Sequence, residues 1–371
     1  MPQTDTPATL GFHMPAEWEK HDATWIAWPH HREDWPGKFG PIAWVFTEIV
    51  RHLSRVETVN ILVVDKKHKN KAADHLDRAG VDPVHVVFHK IPTDRVWTRD
   101  TGPTFVVNPK LPPPLSLGLV DWRFNGWAKY DNHKRDSRVG RRIAKQLGLE
   151  RWSPEIEIES KSWEVVLEGG AIDVNGAGTL LTSEECLLSD VQARNPGLAK
   201  ETLEQLFADY LGITKTIWLG RGIEGDDTHG HVDDLARFVD PGTVVTVVEN
   251  EMSDPNFEPL RENLKRLESA TDQDGKPLRV VPLPMPRPVF FEGQRLPASY
   301  ANFYIANGLV LVPTFNDPAD RIALATIASV FPDREVIGIH AVDLVWGLGT
   351  IHCMTQQQPS APLGGEAASA E

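Results

Sequence analysis

Residues 167–188 read "LEGGAIDVNGAGTLLTSEECLL". Glu168 closes an apolar run, two glycines follow, and Asn175-Gly176 then sits between alternating apolar residues. Asn-Gly in that setting is a strong signal for a tight hairpin, because both turn residues must tolerate left-handed backbone. The stretch therefore predicts a polar tip followed by two strands, with 179–188 as one strand and Cys186 as a sheet residue.

The same arrangement recurs along the chain. "THGHVDD" (228–234) precedes a hairpin turning on Pro241-Gly242, and "ASYAN" (298–302) precedes one turning on Asn307-Gly308. "WTRDTGPTFVV" (97–107) and "GTIHCMTQQQ" (349–358) also place a polar tip ahead of a strand. Further strands are expected at 58–64, 84–91, 214–219, 278–284 and 335–340. Helical patterns fall between them at 41–54, 67–79, 136–147, 197–211, 258–269 and 317–330, the last after an Asn-Asp-Pro start signal. Five tip-and-strand units spaced about 50 to 70 residues apart predict radial repetition around one cavity. The expected class is α+β, a fivefold propeller of strand–strand–helix–strand units in one domain, 1–358. Residues 359–371, "PSAPLGGEAASAE", are small, polar and free of aromatics, and are expected to be disordered.

Bulk properties narrow the function. The net charge of -14 leaves no basic stripe for phosphates, which excludes nucleic acid as a partner. An acidic surface suits a cationic ligand. No stretch approaches the length of a membrane helix and no signal peptide is visible. Two cysteines provide no disulfide framework, so a cytoplasmic protein is expected.

Cys353 is the first candidate for chemistry. "GLGT" before it lets backbone approach a ligand, and the following amides give the sulfur polar surroundings. The ordinary alternative is a buried structural thiol. "GDDTHGHVDDLARF" (225–238) is the densest polar cluster. It offers His231 as an acid/base group with Asp233 two residues on, or, on a different reading, a metallohydrolase site of His229, His231 and Asp233. "WPHHREDW" (28–35) adds His30, His31, Glu33 and Asp34, either to such a metal or to a solvated loop. Glu168 ends a strand, and Asp100 either faces a cavity or pairs with Arg99 on a surface turn.

Together these residues fit one reaction. A guanidinium is planar and permanently cationic, so carboxylates can hold it in bidentate geometry. Turning it into a urea needs a nucleophile, a proton donor for ammonia and a base for water. A metal ion would add positive charge beside a positive substrate, so neither metal nor cofactor is expected.

Seven stretches make this sequence resemble the agmatine deiminases and bacterial-type peptidyl-arginine deiminases of the pentein superfamily. They are "MPAEWEKHDATWIAWP", "VWTRDTGPTFV", "DWRFNGWAKY", "LEGGAIDVNGAGTLLTSEECLL", "GDDTHGHVDDLARFV", "LPASYANFYIANGLVLVPTFND" and "GTIHCMTQQQP". The resemblance implies a pentein fold, Cys353 as nucleophile, and His231 as general acid/base. It also implies Asp100, Glu168 and Asp233 as carboxylates around the guanidinium, Trp97 in the substrate channel, and an S-alkylthiouronium intermediate without metal. The expected reaction converts agmatine to N-carbamoylputrescine and ammonia, as in putrescine biosynthesis. Free arginine and peptidyl-arginine are the alternative substrates, and a non-catalytic guanidinium-binding module is a third reading. Glu224, Asp226 and Asp227 are candidates for a distal ammonium. Arg95, Arg99 and Arg123 are candidates for a carboxylate if the substrate is free arginine. The sequence departs from the family pattern at "GLGT", where Leu348 stands for a glycine and Thr350 for an amide. The substrate is the expected small partner, with a homo-oligomer compatible with the sequence.

Overall fold

A computed structural model describes residues 5–158 and 161–361. Most of the disordered tail expected from the sequence, 362–371, lies outside the described residues. Pro359 still pairs with His21, and the Ser360 amide donates to the Lys20 carbonyl, so regular pairing runs slightly past the expected boundary.

Five sheets share one construction. In the first, Thr104–Val107 runs antiparallel to Leu117–Val120, helix Val139–Leu147 crosses over, and Glu150–Trp152 returns parallel. Asp173–Val174, Thr179–Ser183, helix Lys200–Leu211 and Lys215–Leu219 repeat it. So do Ala236–Asp240, Thr243–Val248, helix Phe257–Glu268 and Arg279–Pro284. The fourth has Tyr304–Ala306, Leu309–Thr314, helix Pro318–Val330 and Glu335–His340. The fifth joins distant parts of the chain: Gln356–Pro359 lies antiparallel to His21–Ala27, and helix Phe39–Leu53 leads to the parallel strand Thr58–Leu62. A second crossover, helix Lys66–Arg78, adds Val86–His89 to that sheet. These are the five expected ββαβ units.

A parallel crossover buries a strand on both faces, which is why Leu309–Thr314 and Thr243–Val248 are buried along all but their last residue and are rich in valine and leucine rather than alternating with charged residues. One apolar core holds residues from the first, second, third, fourth and fifth units, with Trp25, Trp35, Phe46 and Tyr304 among its largest buried side chains. Among the described residues, no helix is long and apolar enough to cross a membrane.

Local chemistry moved one expected element. The strand expected through 188 stops at Ser183, whose side chain caps helix Glu184–Leu188 by accepting from the Cys186 amide. A serine cap followed by two glutamates favours a helix start, so Cys186 sits on a helix, not in a sheet. Two short hairpins, Glu155–Ile158 with Lys161–Glu164 and Phe290–Phe291 with Gln294–Arg295, lie outside the five-unit pattern.

Candidate active site

The segments just before each unit's first strand carry the polar tips. Short helix Thr98–Thr101 holds Asp100, and a turn at Gly169–Ala171 follows Glu168. Another turn at Val232–Asp234 follows His231, while Asn302 and Cys353 precede the strands of the fourth and fifth units. The fivefold construction thus delivers one polar segment per unit. All of these side chains are buried, Cys353 being 8% exposed and Glu168 and Asp233 fully enclosed.

Their geometry separates carboxylates with different tasks. Asp100 accepts from Trp127 Nε1 at 2.8 Å and from the Gly170 amide at 3.0 Å. A Cβ on Gly170 would come within 2.5 Å of His231 Nδ1, so only bare backbone admits this approach. His231 Nδ1 lies 3.9 Å from Asp100 Oδ1 and 4.0 Å from Asp233 Oδ1. Its Nε2 faces Glu168 Oε2 at 3.6 Å. Cys353 Sγ is 3.7 Å from Asp233 Oδ2 and receives Asn302 Nδ2 at 3.1 Å. Glu168 is held by Arg194 Nε at 3.1 and 3.2 Å, and like His231 and Asp233 it does not line the open cavity. Its geometry therefore sets it behind His231, whereas Asp100 and Asp233 flank the thiol side.

Charge follows from these contacts. Burial opposes a charged imidazole, but Asp100, Cys186 and Glu168 outweigh it and hold His231 well above its ordinary pKa. Burial likewise opposes the Glu168 and Asp233 carboxylates. Arg194 in the first case and His352 in the second keep them below the usual range. The Cys353 thiol is pushed well up by burial and by Asp233, Asp234 and Asp100. Positive charge placed beside the thiol would oppose that rise.

Several supporting residues carried no motif of their own. His352 bridges two buried carboxylates, with Nδ1 2.7 Å from Asp233 Oδ2 and Nε2 2.8 Å from Glu17 Oε2. Glu17 also binds Arg99 at 3.0 Å and Arg237 at 2.9 Å, and these cations hold its carboxyl well below the ordinary value despite burial. Arg99 is thus committed to Glu17, and the expected Arg99–Asp100 surface pair does not form. A carboxylate inside the apolar "MPAEWE" and a histidine beside the cysteine were the available signals for this pair.

The cavity above the thiol measures about 350 Å³. Trp97, Asp100, Trp127, Gly349 and Cys353 line its depth, with His31, Glu33, Asp34, Arg95, Tyr130 and Asp227 nearer the mouth. Gly349 is obligatory there, since a Cβ would lie 2.9 Å from Trp97 and 3.2 Å from Cys353. Leu348 lines the same wall at φ 68, a left-handed conformation unusual for a branched residue. Thr350 donates to Asn302 Oδ1 at 2.6 Å, which fixes the amide beside the sulfur.

The "WPHHREDW" segment is neither metal site nor solvated loop as a whole. Asp34 is buried against Arg95, whose guanidinium also stacks 4.4 Å from the Tyr130 ring. Asp227 reaches the mouth, accepting from Tyr130 at 2.7 Å and paired with Lys129. Glu224 does not. Its amide is tied to Asn256, Gly225 turns at φ 93 against Arg295, and Glu224 lines a separate crevice with Asn256 and Met285. Asp226 is spent on the amides of Thr228, Gly230 and His231. Arg123 is away from this cavity.

The metallohydrolase set also fails to assemble. His229 turns at φ 65 to meet Ser189 Oγ at 3.2 Å. Among the described residues, the group that does converge is Glu168, Cys186 and His231.

Comparison with known proteins identifies the family. Residues 13–359 match the model of the Porphyromonas-type peptidyl-arginine deiminases. An agmatine deiminase of Ectopseudomonas mendocina is 37% identical, over 97% of this chain and 99% of the relative. One from Pseudomonas aeruginosa is 36% identical, over 96% and 98%. The solved agmatine deiminase of Enterococcus faecalis superposes with a TM-score of 0.85 at 33% identity, covering 96% of this chain and 98% of that one. A C. jejuni agmatine deiminase solved with substrate bound gives 0.81 at 27% identity, over 94% and 97%. The five units are those of the pentein fold. The chain belongs to the family of agmatine deiminases and Porphyromonas-type peptidyl-arginine deiminases.

Proposed function

We propose that this protein hydrolyses agmatine to N-carbamoylputrescine and ammonia through a thiouronium on Cys353. The observation that carries the reading is the buried thiol beside two carboxylates and an imidazolium, at the base of a cavity whose mouth is acidic. Asp100 and Asp233 hold the planar cation from the side facing His231 Nδ1. Its arrival offsets the negative charge that raises the thiol pKa and so favours the thiolate, the thiol proton leaving to solvent.

Each proton then has a place. The sulfur bonds to the central guanidinium carbon, and His231 gives its proton to the departing nitrogen. Ammonia leaves, and the neutral imidazole takes a proton from the water that attacks the thiouronium. Collapse breaks the C–S bond while the hydroxyl proton of the tetrahedral adduct passes to solvent, releasing the urea product and restoring the thiolate. Asp233, held by His352, keeps its charge throughout.

The mouth supports agmatine over free arginine. Its acids are Glu33, Asp34 and Asp227, while Arg95 is already matched by Asp34. Lys129 matches Asp227 as Arg95 matches Asp34, so Glu33 is the acid of the mouth that an ammonium tail meets without a lysine or arginine partner, whereas an α-carboxylate finds among the lining residues only the already paired Arg95. We also place the enzyme in the cytoplasm, where the free Cys353 stays reduced. Ammonia release should be assayed with agmatine, arginine and a blocked arginyl peptide. Agmatine is expected to give the highest kcat/KM, and acid-quenched turnover should show a mass adduct on residue 353. Absence of ammonia from agmatine ends the substrate assignment, and absence of the adduct ends the mechanism.

A further inference from the structure

The back of His231 presents chemistry that deimination does not use as a set. Donor atoms of Glu168, Cys186 and His231 all lie within 4.8 Å of one another, and all three residues are buried. His231 Nε2 has no hydrogen-bond partner among the described residues, although it is fully enclosed and points at this cluster. Arg194 Nε is shared between Glu168 Oε1 at 3.1 Å and Oε2 at 3.2 Å, so Glu168 keeps that ion pair through Oε1 if Oε2, 3.6 Å from His231 Nε2, turns to a metal. A carboxylate oxygen, an imidazole nitrogen and a thiolate are zinc donors. Tetrahedral bond lengths of ~2.0–2.3 Å place such donors ~3.3–3.8 Å apart.

We propose that Glu168, Cys186 and His231 form an inhibitory zinc site. Cys186 loses its thiol proton and His231 the proton on Nε2, both to solvent, and no electrons change hands. Water completes the coordination. The buried carboxylates around His231 attract a divalent cation, while the soft thiolate selects zinc over magnesium or calcium. Arg194 opposes the ion with its own charge, which sets the affinity below that of a structural zinc centre. A metal on Nε2 stops His231 from recovering its proton for the leaving nitrogen. It leaves Asp100 and Asp233 free, so kcat falls while KM for agmatine holds. This consequence rests on His231 being the acid/base group; the binding does not.

Two measurements separate those parts. Zinc titration of agmatine turnover compares wild type with Cys186→Ala and Cys186→Ser, each scaled to its own zinc-free rate. Half-inhibition is expected to need ~10-fold or more zinc in the variants. Equal sensitivity in all three proteins overturns the site. Cobalt titration of Cys353→Ala, which cannot turn over, is expected to give a sulfur-to-metal charge-transfer band that disappears when Cys186→Ala is added. Absence of that band in Cys353→Ala overturns the binding claim without reference to activity. A band with unchanged zinc-free and zinc-treated rates in wild type overturns only the inhibitory role.

Discussion

The base of the cavity and its mouth use acids in opposite ways. At the base, Asp100, Glu168 and Asp233 are enclosed, and each is fixed by a named donor: Trp127, Arg194 and His352. At the mouth, Glu33 projects with 89% of its side chain exposed, and Asp227 sits between an exposed lysine and a half-buried tyrosine. Buried charges act at low effective dielectric, whereas exposed ones are screened by water and salt. The base can therefore discriminate a reacting amidine, while the mouth can only bias which tail follows it.

The contrast is broken most severely at the sulfur. Cys353→Ala is expected to lower kcat by more than about 10⁴-fold, with agmatine binding retained because Asp100 and Asp233 remain. Single-turnover quench and calorimetric binding check the two halves. An undiminished rate would remove the thiol from the chemistry.

Next in size is the shell behind Asp233. His352→Asn is expected to cost ~10²-fold in kcat with little change in KM, since a slightly misplaced carboxylate still binds but no longer aligns the cation. Glu17→Gln should show the same split. If the Glu17–His352–Asp233 chain works as a unit, the double variant loses little more than either single one. Full additivity, or a rise in KM alone, would assign these residues to folding or to simple binding.

The mouth should respond differently. Asp227→Asn is expected to raise KM for agmatine ~10-fold, near 1.4 kcal/mol, with kcat unchanged. Because this carboxylate is partly exposed, the difference should shrink as salt is raised, which is not expected for the base. A salt-independent effect on kcat would place Asp227 with the enclosed groups.

The same division governs what the sequence disclosed. That Asp100, Glu168, His231, Asp233 and Cys353 gather in one place was legible because each sits in a tip ahead of a patterned strand. Trp97 was legible with them, three residues from Asp100. Asn302, Arg194, Trp127 and Glu17 were not, since their roles depend on which tips meet in space. The mouth was least legible. Asp34 and Arg95 pair across 61 residues, and Glu224 looked as suitable as Asp227 until the Gly225 turn carried it to a different crevice.

The smallest effect concerns the thiol's proton and tests whether base and substrate share the work of activation. Burial and three carboxylates hold Cys353 well above the ordinary thiol pKa, so below that raised value the free enzyme carries the neutral thiol. Raising pH through it exposes the thiolate. A bound, non-reacting guanidinium places positive charge between Asp100 and Asp233, and should move the transition toward lower pH by about one unit. Ultraviolet absorbance of the thiolate reads this without needing reagent access, with Cys353→Ala subtracting the Cys186 background. The shift should vanish in Asp233→Asn if that carboxylate is what seats the cation. Coincident profiles with and without the guanidinium would mean that the enzyme alone ionises its nucleophile, and that acids at the base serve binding only.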